Sequence, residues 1–74
     1  MSNAITRGRA DIEMWFDNTS DPEKPMWVTE NHAGNTSFHR SRTTALAAAR
    51  KLARKSGGRV IELGQFGGLS DVTR

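Results

Sequence analysis

Polar and apolar residues alternate along residues 11–17. Ile12, Met14 and Phe16 fall on one side of an extended chain, because successive side chains of a strand point to opposite faces. The other side carries Trp15 and three acidic residues, Asp11, Glu13 and Asp17. This alternation predicts a half-buried β-strand.

A loop and a hairpin follow this strand. Residues 18–25 contain two prolines among turn-forming residues, which excludes a helix or a strand there. Residues 26–31 are rich in aromatic and β-branched side chains and predict a second strand. The turn residues 33–35 lead into a third predicted strand, residues 36–40, so these two strands should form a hairpin.

After Thr43, the apolar residues recur with the spacing of an α-helix, about 3.6 residues. Residues 44–55 are strong helix formers, with Ser41 or Thr43 as the cap and two glycines after Ser56 as the stop. One side of this helix is mostly alanine and must approach the sheet closely, with its two leucines as the only large core side chains. The members of this stripe are Ala45, Leu46, Ala49, Leu52 and Ala53.

A fourth strand is predicted over residues 59–63, and the glycine-rich end is expected to be mobile past about Gly67. These elements predict an α+β fold: a small three- or four-stranded, mainly antiparallel sheet packed on one amphipathic helix, in the order β-β-β-α-β. We expect one domain over residues 11–66, with residues 1–10 and 67–74 as flexible ends.

Composition narrows the function classes. A chain of 74 residues without cysteine predicts one small domain without disulfides or thiolate metal sites. The longest apolar run, residues 45–49, is far shorter than the ~20 residues of a membrane span. We therefore expect a cytoplasmic protein that does not engage membranes. A chain this small leaves little room for a cleft, so we expect no catalysis, cofactor or small-molecule substrate.

Few residues suggest site chemistry. His32 and His39 have no third ligand at a suitable spacing, so surface positions are expected for both. His39 beside Arg40 is the one pair that suits a ribonuclease, which is the minor alternative. The glycines after Leu63 precede no helix and fail the context of a phosphate-binding loop.

Charge is unevenly distributed along the chain. Residues 1–30 carry three Lys or Arg against six acidic residues, whereas residues 31–74 carry eight against two. Such a surface favours a polyanion, an acidic protein or the acidic end of a second copy as partner.

The basic stretch predicts a surface for DNA or RNA, because cations along one helix arc can neutralise phosphates. The alternative is a solvated helix face, with cations placed favourably at the negative end of the helix dipole. The candidate nucleic-acid-binding residues are Arg40, Arg42, Arg50, Lys51, Arg54, Lys55 and Arg59.

The two tryptophans differ in their surroundings. Trp27 is expected in the core, as is usual for tryptophan in a small domain. Trp15 shares its strand face with acids and is the candidate anchor of a protein interface. Stacking on bases is the alternative for both residues.

A longer pattern runs through residues 26–68. Its members are Trp27, Val28, Gly34, Phe38, Thr43, Thr44, Ala45, Ala49, Arg50, Leu52, Ala53, Gly57, Gly58, Val60 and Ile61. The pattern resembles a small prokaryotic and phage domain family of unknown function, with a tryptophan strand, a β-hairpin, a Thr-led Ala/Arg helix and a final strand. The order of elements is also similar, in topology only, to double-stranded-RNA-binding-like sheets. These resemblances imply a fold and carry no activity.

Together these features predict a small phage or bacterial binding or regulatory protein that contacts nucleic acid through its basic helix face. The alternative is a protein-interaction module, either a homodimer or a binder of a host factor. Such a module would use an exposed sheet face or edge that includes Trp15.

Overall fold

The computed structural model describes residues 8–74. A flexible N-terminus was expected over residues 1–10. Residues 1–7 of this segment lie outside the described residues. The elements in chain order are β1 (Ile12–Asp17), β2 (Met26–Glu30), β3 (Thr36–His39), α1 (Arg42–Ser56), β4 (Val60–Leu63) and β5 (Leu69–Asp71). The strands form one sheet in the order β3-β2-β1-β4-β5. The predicted α+β class is confirmed.

The central strand β1 pairs in a different direction on each side. It runs antiparallel to β2 and parallel to β4, with Ile12 beside Val60. A parallel neighbour requires a crossover connection. Helix α1 supplies it, since it carries the chain from β3 at one edge back to β4 on the other side of β1. The sheet is therefore mixed, and it has five strands instead of the three or four expected.

Helix α1 begins and ends at caps that satisfy its free polar groups. The Ser41 hydroxyl accepts a hydrogen bond from the Thr44 N–H at 3.1 Å. At the other end Gly57 has a φ of 76°, and its N–H donates to the Ala53 carbonyl at 2.8 Å. Glycine adopts this left-handed conformation without strain. The predicted helix, its serine cap and its glycine stop are confirmed.

Alanines form the contact between α1 and the sheet. The buried cluster consists of Ala45, Ala49, Ala53, Ile12, Met14 and Val60. Leu46 packs against this cluster, but Leu52 is 40% exposed, so the expectation that Leu52 fills the core is wrong. Leu52 lies about 60° from Ala49 around the helix axis. That position is at the margin of a stripe whose short side chains hold the helix close to the sheet.

Gly58 brings the end of the helix against the entry to β1. A Cβ at this position would lie 2.1 Å from the Ala10 carbonyl oxygen. The same oxygen accepts a hydrogen bond from the Ser56 hydroxyl at 2.6 Å. The second glycine of the helix stop is therefore required by close packing, beyond any role in ending the helix.

The C-terminal residues form structure where a mobile tail was expected. The Gly64 N–H donates to the Gly68 carbonyl at 2.6 Å, and Gly67 adopts a φ of 86°, which closes a tight turn. β5 then pairs antiparallel with β4, and Val72 packs against the core. Residues 67–74, for which a flexible tail was expected, thus contain β5, because the turn returns the chain to the edge of β4.

Because α1 contacts the sheet through alanines, the effect of a larger side chain on stability should depend strongly on its position in the helix. Ala49→Leu should lower the free energy of unfolding by about 1–3 kcal/mol, because a larger side chain cannot fit at a fully buried position. Ala47→Leu, on the exposed side of the same helix, should change it by no more than about 0.5 kcal/mol. Urea denaturation measures both values. Equal midpoints for the two variants would contradict the close packing of α1.

Candidate functional site

The two faces of the sheet carry different residues. Ile12 and Met14 pack against α1, so Glu13 and Trp15 point to the opposite side. This opposite side is called the open face. None of the elements described between residues 8 and 74 packs against it, because α1 contacts the other side.

A row of apolar side chains crosses the open face from one sheet edge to the other. Val28 lies between Trp15 and Phe38 in the strand register, and Leu63 lies opposite Leu69. Continuing the β1–β4 register by one residue sets Leu63 beside Trp15. The apolar row thus consists of Phe38, Val28, Trp15, Leu63 and Leu69. Phe38 is 60% exposed and Leu69 is 40% exposed, whereas Val28 is buried.

Acidic side chains flank the apolar row. Glu30 lies directly opposite Glu13 on one side of the row, and Asp17 follows Trp15 on the other side. Backbone N–H groups of Thr19 and Ser20 donate to the Asp17 carboxylate, both at 3.1 Å. These hydrogen bonds, those from Ser20 first, lower the pKa of Asp17 from 3.8 to about 2. Asp17 therefore keeps its negative charge well below neutral pH.

The predicted interface residue Trp15 is half-buried at the centre of this row. A shallow surface depression includes Trp15, Glu13, Glu30, Leu63 and Gln65. The sequence placed Trp15 among acids correctly, since the alternation of β1 is confirmed.

Trp27 lies on the other face and packs against the helix core, as expected. Its ring centroid is 5.3 Å from that of Phe16, with the two rings tilted by 51°. This contact covers the end of the core, where Phe16 itself is 46% exposed.

Three of the seven candidate nucleic-acid-binding cations form contacts within the fold. Arg42 donates two hydrogen bonds, at 2.9 and 2.8 Å, to the Glu62 carboxylate. The guanidinium of Arg59 donates to Asp11 at 2.8 Å. Arg50 Nε donates to the Val72 carbonyl at 3.0 Å. Each contact joins elements that are distant in sequence, so these three residues stabilise the fold.

The other four candidates are exposed. Lys51, Arg54 and Lys55 share the solvent side of the last turns of α1 and are called the helix cations. Arg40 precedes α1 and lies about 20 Å from Lys55 at a rise of 1.5 Å per residue. The structure thus brings three of the seven residues into one basic patch, and Arg40 lies apart from it.

Asp11 holds the start of β1 against β4. Its carboxylate accepts hydrogen bonds from the Gly8 N–H, the Arg59 N–H and the Arg59 guanidinium, each at 2.8 Å. The Asp11 side chain is 5% exposed. The hydrogen bond from the Arg59 side chain is the main cause of a lowered Asp11 pKa, from 3.8 to about 2. Sequence analysis placed Asp11 only on the acidic face of β1 and missed this role.

His39, considered above as a catalytic residue, lies beside two hydroxyl side chains in the structure. His39 Nε2 lies 3.0 Å from the Ser37 hydroxyl, which in turn contacts the Thr29 hydroxyl. Among residues 8–74 no three His, Asp or Glu side chains are grouped as metal ligands. No helix within the same residues is long and apolar enough to cross a membrane.

Comparison with known proteins gives no match: no protein family, curated protein or solved structure is significantly similar to this chain. The candidate site is therefore defined by its geometry alone.

The Asp11 contacts predict a specific pH dependence. A carboxyl whose pKa is lowered on folding stabilises the fold above its unfolded pKa, and that contribution is lost as the pH falls through the folded value. Asp11→Asn should therefore lower the free energy of unfolding at pH 7 by at least about 1 kcal/mol, because a buried charge-assisted contact is lost. The difference from the unmodified chain should shrink between pH 4 and about 2.

Urea denaturation across that pH range provides the measurement, with Glu23→Gln in the exposed β1–β2 loop as the control. The control should unfold with the unmodified chain at every pH. A difference for Asp11→Asn that does not change with pH would contradict the assignment.

Proposed function

We propose that this chain is a small protein-interaction module that binds its partner through the open face. The partner segment is both apolar and cationic. The observation that carries the proposal is the apolar row, which runs across all five strands between flanking acids.

The apolar row has the composition of a binding surface. Aromatic side chains dominate the energetics of protein interfaces, and Trp is among the residues most enriched there. The row places half-buried Trp15 and exposed Phe38 on the same face of the sheet, with buried Val28 between them. A contiguous apolar patch with a polar rim is typical of a partner site.

The charge of the open face selects the partner. Asp17 lies on one flank of the row and Glu30 on the opposite flank, and both carboxylates are negatively charged at neutral pH. Opposite charges across an interface speed association and exclude partners of the same sign. These acids repel phosphates, so the geometry favours a cationic protein segment over bases stacked on Trp15.

A designed peptide tests the proposal directly. A helical Leu/Lys peptide should bind the chain, and a Leu/Glu peptide of the same apolar pattern should bind at least tenfold more weakly, because the open face is acidic. Phe38→Ser should weaken binding of the Leu/Lys peptide by about tenfold or more. Titration followed by Trp15 fluorescence in a Trp27→Phe background measures the affinities.

The matched control is Phe66→Ser. Phe66 is 94% exposed at the tip of the β4–β5 turn and lies outside the apolar row, so this change should leave the affinity unaltered. Equal losses for the two serine variants, or equal binding of the two peptides, would contradict the proposal.

A second candidate function is nucleic-acid binding through the helix cations. It is favoured by the exposed patch of Lys51, Arg54 and Lys55, which lies on the side of the molecule opposite the acidic open face. The structure reduces the available cations, since Arg42, Arg50 and Arg59 are held by contacts within the chain.

The reduced set of cations predicts a shallow salt dependence. The three helix cations and Arg40 are the candidate residues still available. A plot of the logarithm of the DNA association constant against the logarithm of the salt concentration should therefore have a slope no steeper than about −3.6. Replacing Lys51, Arg54 and Lys55 together by Gln should remove most of this slope. Electrophoretic shifts with duplex DNA, single-stranded DNA and RNA measure it.

A steeper slope would mean that cations beyond these four contact the nucleic acid, such as exposed Arg9, Lys24 or Arg74. Absence of any shift at about 50 mM salt and tens of micromolar protein would rule out this second function, since non-specific binding is visible under those conditions.

A further inference from the structure

We propose that the cationic segment that occupies the open face is helix α1 of a second copy of this chain, so that copies associate head to tail. This inference rests on the proposed function and names its partner.

One exposed edge of α1, beside its buried alanine stripe, has the chemistry that the open face requires. Leu52 is 40% exposed, although leucine at this position was expected in the core. Lys55 lies one turn further along on the same side, about 60° from Leu52 around the axis, and Lys51 lies about 100° away. The helix edge therefore presents an exposed apolar side chain with both ammonium groups on the side of it that faces away from the buried stripe.

The spacing of the two surfaces is compatible. Along a strand, residues two apart on one face are separated by about 6.6 Å, which is the distance from the apolar row to each acidic flank. On a helix, side chains three or four residues apart have Cβ atoms about 5–6 Å from one another. With Leu52 on the apolar row, the ammonium of Lys55 thus reaches one of the two acidic flanks, which carry Glu30 and Asp17.

Charge excludes the two symmetric arrangements of the same surfaces. Two open faces in contact would bring Glu30 and Asp17 against the same acids of the second copy, and two α1 helices would bring the helix cations together. Contact of the open face with α1 is the one combination of these surfaces that pairs opposite charges.

A head-to-tail contact has a distinctive consequence for assembly. Each copy that uses its open face still presents α1, and each copy that uses α1 still presents its open face. Such heterologous contacts produce rings or open chains and do not stop at a symmetric dimer. The average mass should therefore rise steadily with protein concentration above the 8.2 kDa of one chain, and it should fall with added salt.

Two complementary variants test the inference by analytical ultracentrifugation. The face variant carries Glu30→Gln with Phe38→Ser, and the helix variant carries Lys51→Glu with Lys55→Glu. All four changes are at exposed or half-buried positions, and circular dichroism checks that each variant is folded. Each variant alone should remain a single chain, because it lacks one of the two surfaces.

An equimolar mixture of the two variants should form a 1:1 complex and nothing larger. The helix variant retains an intact open face and the face variant retains an intact α1, so one productive contact remains. A charge-matched control, Lys24→Glu with Arg74→Glu, should still associate at least half as strongly as the unmodified chain, because both residues are exposed and lie outside α1 and the apolar row.

Each other outcome overturns the inference. If the unmodified chain stays monomeric at millimolar concentration but binds the Leu/Lys peptide, the second copy is not the partner and the proposed function stands. If it is monomeric and binds no peptide, both fail. If both variants associate alone, copies meet through another surface, such as the edges of β3 and β5.

Discussion

The close approach of α1 to the sheet through three alanines is the contact on which the rest of the structure depends. Ala45, Ala49 and Ala53 are buried and bring the helix close to Ile12, Met14 and Val60 in the middle of the sheet. Trp27 packs against this cluster and contacts Phe16 on the same side. The larger row centred on Trp15 lies on the opposite side, where none of the described elements covers it. The same close packing that forms the small core thus leaves the apolar row outside it.

The charges follow from the same arrangement. Joining β4 to β1 in parallel, with one helix as the crossover, requires contacts at both ends of the pair. Arg59 and Asp11 hold one end, while Arg42 on α1 holds Glu62 on β4. These contacts use arginines that composition alone assigns to an external polyanion. The helix cations lie on the solvent side of α1, and the flanking acids lie on the open face, so a basic patch and acidic flanks occupy opposite sides of the sheet.

Local patterns were sufficient to predict part of this structure. The alternation of β1 placed Trp15 among acids, and the alanine-rich period with its serine cap and glycines identified α1. The fifth strand was missed because Leu69–Asp71 is only three residues long and gains its partner from β4. The parallel pairing and the role of Asp11 depend on contacts between residues 48 positions apart, for which no local pattern exists. The apolar row could have been anticipated from the hairpin, since a register that sets Val28 opposite Phe38 brings both to the face of Trp15.

Intermolecular paramagnetic broadening tests the central claim, that the open face binds α1 of a second copy. The chain has no cysteine, so Ala47→Cys places a single nitroxide on the exposed side of α1. The labelled protein is mixed with a ¹⁵N-labelled copy that carries no nitroxide, and the two tryptophan indole N–H signals are followed. The account predicts that the Trp15 signal, on the open face, broadens more than that of Trp27, on the helix side. Equal broadening of both signals, or stronger broadening of Trp27, would contradict it.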